Sequence, residues 1–81
     1  MNVLYFAWVR ERIGESQDRV PDRTDTVADL VNDLKAREPR YAAAFADMSA
    51  LRVALDQELA DFGASLDGVQ EVAFFPPMTG G

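Results

Sequence analysis

One stretch narrows the possible folds of this chain more than any other. After Asp25 and Thr26, the residues Val27, Leu30, Val31 and Leu34 fall at i, i+3, i+4 and i+7. That spacing is a single apolar stripe along a helix, with Asp29, Asn32, Asp33 and Lys35 turned to water. Thr26 is placed to cap the helix, and Asp29 at the third helical position comes close to a capping box. Pro39 disfavours helical geometry in Glu38, so the helix is expected to stop there. A helix with one stripe must lie on one face of something flat, and the flanking segments read as sheet.

Val3 to Val9 is continuously apolar and rich in β-branched and aromatic residues, so it is expected to form the first strand. Arg10 to Glu15 is polar and holds Gly14, a turn signal, and Gln17 to Val20 reads as a short edge strand ended by Pro21. Arg40 to Ala46 reads as a second, shorter helix anchored by Tyr41 and Phe45. Leu51 to Leu55 and Glu58 to Ala60 read as strands joined by a tight turn at Asp56-Gln57, and Glu71 to Phe75 as the last strand. Gly63 and Asp67-Gly68 supply further turns, and Pro76-Pro77 terminates the last strand. The expected fold is α+β: a β-grasp, or ubiquitin-like, mixed five-stranded sheet with one main helix and a short second helix. The first and last strands would run parallel at its centre. Val3, Tyr5, Val53, Leu55, Val72 and Phe74 are expected in the core. The domain is expected over residues 1–75, followed over 76–81 by an extended flexible tail ending in Gly-Gly.

With 81 residues and no cysteine, one compact core must hold the structure. A domain this size buries only about 60% of its unfolded surface. No apolar run approaches membrane-spanning length, and Met1 to Tyr5 lacks the basic start and long apolar stretch of an export signal. These features fit a cytoplasmic protein. The net charge is −6, and Lys35 is the only lysine, so there is no basic cluster to neutralise phosphates and no nucleic-acid partner is expected. The acidic balance serves solubility, or meets a partner with a basic surface.

The familiar catalytic sets are missing. Without histidine or cysteine there is no usual zinc site, no Ser-His-Asp triad and no thiol nucleophile. No segment matches a Walker loop or a GxGxxG turn. Asp18, Asp22 and Asp25 lack calcium-loop spacing, and Ser16, Ser49 and Ser65 have no base to activate them. No metal and no bound cofactor are expected.

What remains is the tail, Pro76, Pro77, Met78, Thr79, Gly80 and Gly81. The two prolines hold it extended, and six residues reach roughly 20 Å at about 3.3–3.6 Å each. Gly80 and Gly81, without side chains, suit a narrow channel. A glycine ending can be simple fraying. After a β-grasp pattern and Phe74-Phe75-Pro76-Pro77, it is also an arm that presents a carboxylate. A carboxylate becomes reactive when an enzyme adenylates it with ATP, and sulfide from another protein then yields a thiocarboxylate. Pleating adds a second feature. Leu4, Phe6 and Trp8 point away from Val3, Tyr5, Ala7 and Val9, and Phe75 would lie beside Phe6. That open face either docks a partner or lies under the second helix or a loop. The tail leaves from the same strand, which favours docking.

Tyr5-Phe6-Ala7-Trp8-Val9-Arg10-Glu11 and the ending Val72 to Gly81, VAFFPPMTGG, resemble the small subunits of molybdopterin synthase, over the whole chain. The resemblance implies a sulfur carrier that is not an enzyme on its own. An E1-like adenylyltransferase would use ATP to activate Gly81, and a sulfur-donor protein would convert it to a thiocarboxylate. The carrier would then donate sulfur to precursor Z (cyclic pyranopterin monophosphate) in the large subunit, in a heterotetramer with two copies of each chain, forming the molybdopterin dithiolene. It implies Phe6, Leu59 and Phe75 as partner-binding residues, with Pro76, Pro77, Met78 and Thr79 entering the partner and Gly80 giving passage to Gly81. Two departures stand out: Asp56-Gln57 where the family often has Asn-Gln, and Asp67-Gly68-Val69-Gln70-Glu71-Val72 where it often has Asp-Gly-Asp-Glu-Val. Related carriers for thiamine or tRNA thiolation, and ubiquitin-like protein modifiers, share the fold and ending.

Overall fold

The computed structural model describes residues 1–77. Its elements are β1 (Asn2–Tyr5), α1 (Ala7–Ile13), β2 (Gln17–Arg19), α2 (Val27–Arg37), α3 (Pro39–Ala44), a 3-10 turn (Met48–Ala50), β3 (Arg52–Leu55), β4 (Glu58–Ala60) and β5 (Glu71–Phe75). The strands form one five-stranded sheet in the order β2-β1-β5-β3-β4. The central pair, β1 and β5, is parallel, with Val3 opposite Val72 and Tyr5 opposite Phe74. The other pairs are antiparallel. This is the β-grasp arrangement.

The helix that anchors the fold forms as its sequence dictates. Thr26 Oγ1 accepts from the Asp29 N–H at 3.3 Å, and Asp29 Oδ2 accepts from the Thr26 N–H at 3.0 Å, completing the capping box. Glu38 takes extended geometry and ends α2, and Pro39 opens α3 at a position where a missing N–H costs nothing. Val27, Leu30, Val31 and Leu34 are all buried. They share a core with Val3, Tyr5, Tyr41, Phe45, Val53, Val72 and Phe74. At its centre the rings of Phe45 and Phe74 meet edge to face, 5.0 Å between centroids.

The expected first strand, Val3 to Val9, is corrected. It stops at Tyr5, and Ala7–Ile13 forms a helix instead. Two facts explain the switch. Val9 and Ile13, at i and i+4, both bury on one side of α1, while Arg10, Glu11 and Arg12 stay exposed. Gly14, at φ 86, then closes the helix in the left-handed region, its N–H donating to the Arg10 carbonyl at 2.8 Å. Trp8 therefore stands on α1 and not on the open sheet face, half-buried against the core with the Arg12 guanidinium over its ring at 4.6 Å. Leu55, expected in the core, is only half-buried near the edge of the sheet and packs against the core from outside. Other boundaries move by a residue or two: β2 ends at Arg19, β3 begins at Arg52, and α3 spans Pro39–Ala44.

Candidate functional site

Strand pleating divides the sheet cleanly. Val72 and Phe74 face α2 with Val53 and Tyr5, and all four are buried. Glu71, Ala73 and Phe75 face the other way. On that open face Leu4 pairs with Ala73, Ala73 with Ala54, and Ala54 with Leu59, a transverse apolar row over four strands. The two alanines keep its middle flat. Leu59, on the outer strand β4, is 73% exposed. Phe75 lies one pleat nearer the end of β5 and is half-buried, as are Pro76 and Pro77.

Phe6 reaches the same end of the sheet by a different route from the expected one. It continues β1 in extended geometry, φ −122 and ψ 154, and its N–H donates to the Phe74 carbonyl at 3.1 Å. The next residue, Ala7, has φ 53, a left-handed conformation that L-residues rarely adopt. The chain therefore turns abruptly into α1 and leaves the Phe6 side chain 46% exposed. Phe6 and Leu59 are the large hydrophobic side chains exposed among the described residues. Phe6, Leu59 and Phe75, all named from sequence as partner-binding, thus face the same side of the sheet, Phe75 on β5, Phe6 beyond the end of β1 and Leu59 two strands away on β4. Met78, Thr79, Gly80 and Gly81 lie outside the described residues. The sequence reading did not single out Ala54 and Ala73, the flat centre of the patch, or Arg52, which stands opposite Phe75.

Elsewhere the polar groups serve structure. Asp56, at φ 50 in the β3–β4 turn, accepts from the Gln70 and Glu71 N–H groups at 3.0 Å each and so ties the turn to the start of β5. Shallow polar hollows, one lined by Asp56, Gln57 and Glu71 and one by Met1, Arg19 and Asp22, share Asn2 and Gln70 and lie at the end of the sheet away from Phe75. Arg23 bridges Asp25 and Asp33, which holds the Asp25 carboxyl below the usual carboxylate range. Among the described residues there is no group of three or more His, Cys, Asp or Glu side chains that could hold a metal ion, and no helix long and apolar enough to cross a membrane.

A five-stranded mixed sheet in the order β2-β1-β5-β3-β4, with a parallel central pair and α2 across one face, defines a ubiquitin-like β-grasp protein. The chain belongs to the ThiS family, whose model matches residues 3–81. It is 41% identical over 81 residues to the molybdopterin synthase sulfur carrier subunit of Escherichia coli, covering 100% of this chain and 99% of the relative. It is 35% identical, with the same coverage, to the protein of that name from Haemophilus influenzae. Among solved structures it is similar to SAMP1 from Haloferax volcanii, with a TM-score of 0.77, 28% identity, and coverage of 100% of this chain and 98% of that one.

Proposed function

We propose that this chain is the sulfur carrier subunit of molybdopterin synthase, working in the cytoplasm, and that Gly81 is its reacting residue. An E1-like adenylyltransferase brings ATP to the Gly81 carboxylate. A carboxylate oxygen attacks the α-phosphorus, pyrophosphate leaves, and the carboxyl becomes an acyl-adenylate. A sulfide equivalent from a donor protein attacks the carbonyl carbon; a C–S bond forms, the C–O bond to AMP breaks, and AMP departs. The thiocarboxylate is then a nucleophilic sulfur on a thin arm that enters the large subunit and attacks a carbon of the pterin precursor, which loses an oxygen leaving group. Water then cleaves the acyl–sulfur bond, leaving the sulfur on the pterin and returning the Gly81 carboxylate. With no histidine or cysteine, this chain brings neither an imidazole nor a thiol to the chemistry. The partner supplies acid, base and the cations that balance phosphate and acyl charge.

The observation that carries the reading is the full-length match to sulfur carrier subunits, at 41% identity. It is supported by Phe6, Leu59 and Phe75 lying on one face of the sheet. We propose that face as the docking surface for the large subunit in a heterotetramer of two copies of each chain. Incubation with ATP, the activating enzyme and the sulfur donor, followed by intact mass, tests it. The expected product is the chain with one oxygen exchanged for sulfur at its terminus. An unchanged mass with an activating enzyme proven active on its own carrier counts against it. A second reading, joining of Gly81 to target lysines, is supported by the likeness to a solved structure named Haloferax volcanii small archaeal modifier protein 1, with a TM-score of 0.76 and 28% identity. Lysine conjugates in cells, with no thiocarboxylate, would favour it.

A further inference from the structure

Beside Phe75 the docking face carries a cation that no carboxylate of the described residues balances. Arg52 opens β3, is exposed, and stands directly across the ladder from Phe75. Pleating puts it on the same face as Phe75, Ala73 and Ala54. Its described hydrogen bonds all use Nη1 and run to carbonyls of its own segment, Leu51 at 2.9 Å and Ser49 at 3.5 Å. Among the described residues no carboxylate pairs with it. Arg23, by contrast, holds Asp25 and Asp33, and Arg40 holds Glu38 and Glu15. Arg10, Arg12, Arg19, Lys35 and Arg37, like Arg52, enter no ion pair among the described residues; what sets Arg52 apart is its place directly across from Phe75 on the open apolar face.

Covering such a group has a physical consequence. A guanidinium covered by an apolar surface loses its hydration; the carbonyls of Leu51 and Ser49 replace it only at Nη1, and a carboxylate meeting the remaining donors offsets the rest. The edge formed by Nε and Nη2 matches the two oxygens of a carboxylate, a geometry that lysine cannot reproduce. We propose that Arg52 is a specificity-determining residue of the docking face, and that the large subunit covering this face presents an Asp or Glu carboxylate to it. The inference rests on the docking reading above and adds the chemistry of recognition. A chain with an apolar residue at this position would fit a partner lacking that carboxylate, and the two sets would discriminate against one another.

The test measures affinity between the full chain and the purified large subunit of the same organism. Arg52→Leu, Arg52→Lys and Arg52→Glu are compared with Phe75→Ala. Loss of the ion pair is expected to weaken binding about tenfold in Arg52→Leu and about a hundredfold in Arg52→Glu, with Arg52→Lys between wild type and Arg52→Leu. Reversing the matching carboxylate on the large subunit to Arg should restore the binding of Arg52→Glu, a rescue that simple loss of fold does not give. Wild-type affinity in Arg52→Leu and Arg52→Glu, beside weakened Phe75→Ala, overturns the proposal and leaves the docking face standing. The same holds if Arg52→Glu is weak and no carboxylate reversal rescues it. Wild-type affinity in all four variants removes the docking reading itself.

Discussion

The hydroxyl of Tyr41 donates to Asp18 Oδ2 at 2.6 Å, bridging α3 to the edge strand β2 across 23 residues of sequence. Tyr5, from the centre of the sheet, donates to the same oxygen at 2.9 Å. Both tyrosines are buried to within 2% of full enclosure, and their hydroxyls find their partner in this one carboxylate at the border of the core. Burial first, and then the hydrogen bond to Asp18, raises both phenols, Tyr41 to about 12 and Tyr5 further still. In the unfolded chain each phenol loses its proton near pH 10. Above that pH the folded state holds more protons than the unfolded state, so stability falls as pH rises. Denaturant melts from pH 9 to 11 should show this alkaline loss, and Tyr41→Phe should reduce it. At neutral pH Asp18→Ala leaves two buried hydroxyls without a partner and should cost about 1–3 kcal/mol or more. An alkaline profile identical in Tyr41→Phe would show that the phenol does not contribute.

Leu30 sits at 1% exposure in the middle of the apolar stripe. Leu30→Ala should destabilise the fold by roughly 2–5 kcal/mol, read as a shift in the urea midpoint at constant slope. A cost below about half a kcal/mol, the level of an ordinary surface change, would contradict the packing of α2 on the sheet.

Much of this architecture was readable from sequence, and the misses have physical causes. The stripe of α2, its capping box and the stop before Pro39 are local signals, and they formed as read. The Glu58–Ala60 and Glu71–Phe75 strands match to the residue because turn chemistry brackets them. Helix α1 was hidden because Val3 to Val9 is uniformly apolar, and period cannot separate strand from helix in such a run. The clue lay downstream, in Ile13 four residues after Val9 and Gly14 immediately beyond. Of the surface residues, Phe6 was read correctly as exposed, though it is the turn at Ala7 that leaves it so. The place of Arg52 across from Phe75 was invisible, because it depends on which strands neighbour β3 and in what register.

Ala7, the first residue of α1, holds a left-handed backbone at φ 53. A residue without a Cβ adopts that region freely, so Ala7→Gly should be neutral or stabilising by up to about 1 kcal/mol. A β-branched side chain there is strained, and Ala7→Val should destabilise by about 1–3 kcal/mol. Thermal melts of the two variants decide it. Equal stability in both would contradict the turn that leaves Phe6 exposed.

Phe75 is half-buried, while the core beneath it is closed by Phe74. Phe75→Ala should therefore leave the fold nearly unchanged and still weaken the complex with the large subunit by about 2 kcal/mol or more, as loss of an interface aromatic does. Calorimetric titration beside a circular dichroism melt separates the two effects. Unchanged affinity in a folded variant would remove Phe75 from the interface.

The central claim is that the Gly81 carboxylate is the one group this chain brings to the chemistry. Sulfur transfer to the pterin precursor, measured with purified large subunit, tests it most directly, using chains without Gly81 or with one residue added after it. Shortening withdraws the carboxylate by about 3.5 Å and lengthening overshoots by as much, so both should abolish product while the melting temperature stays that of the parent. If the chain lacking Gly81 forms molybdopterin at the parent rate, the carrier mechanism is wrong for this protein.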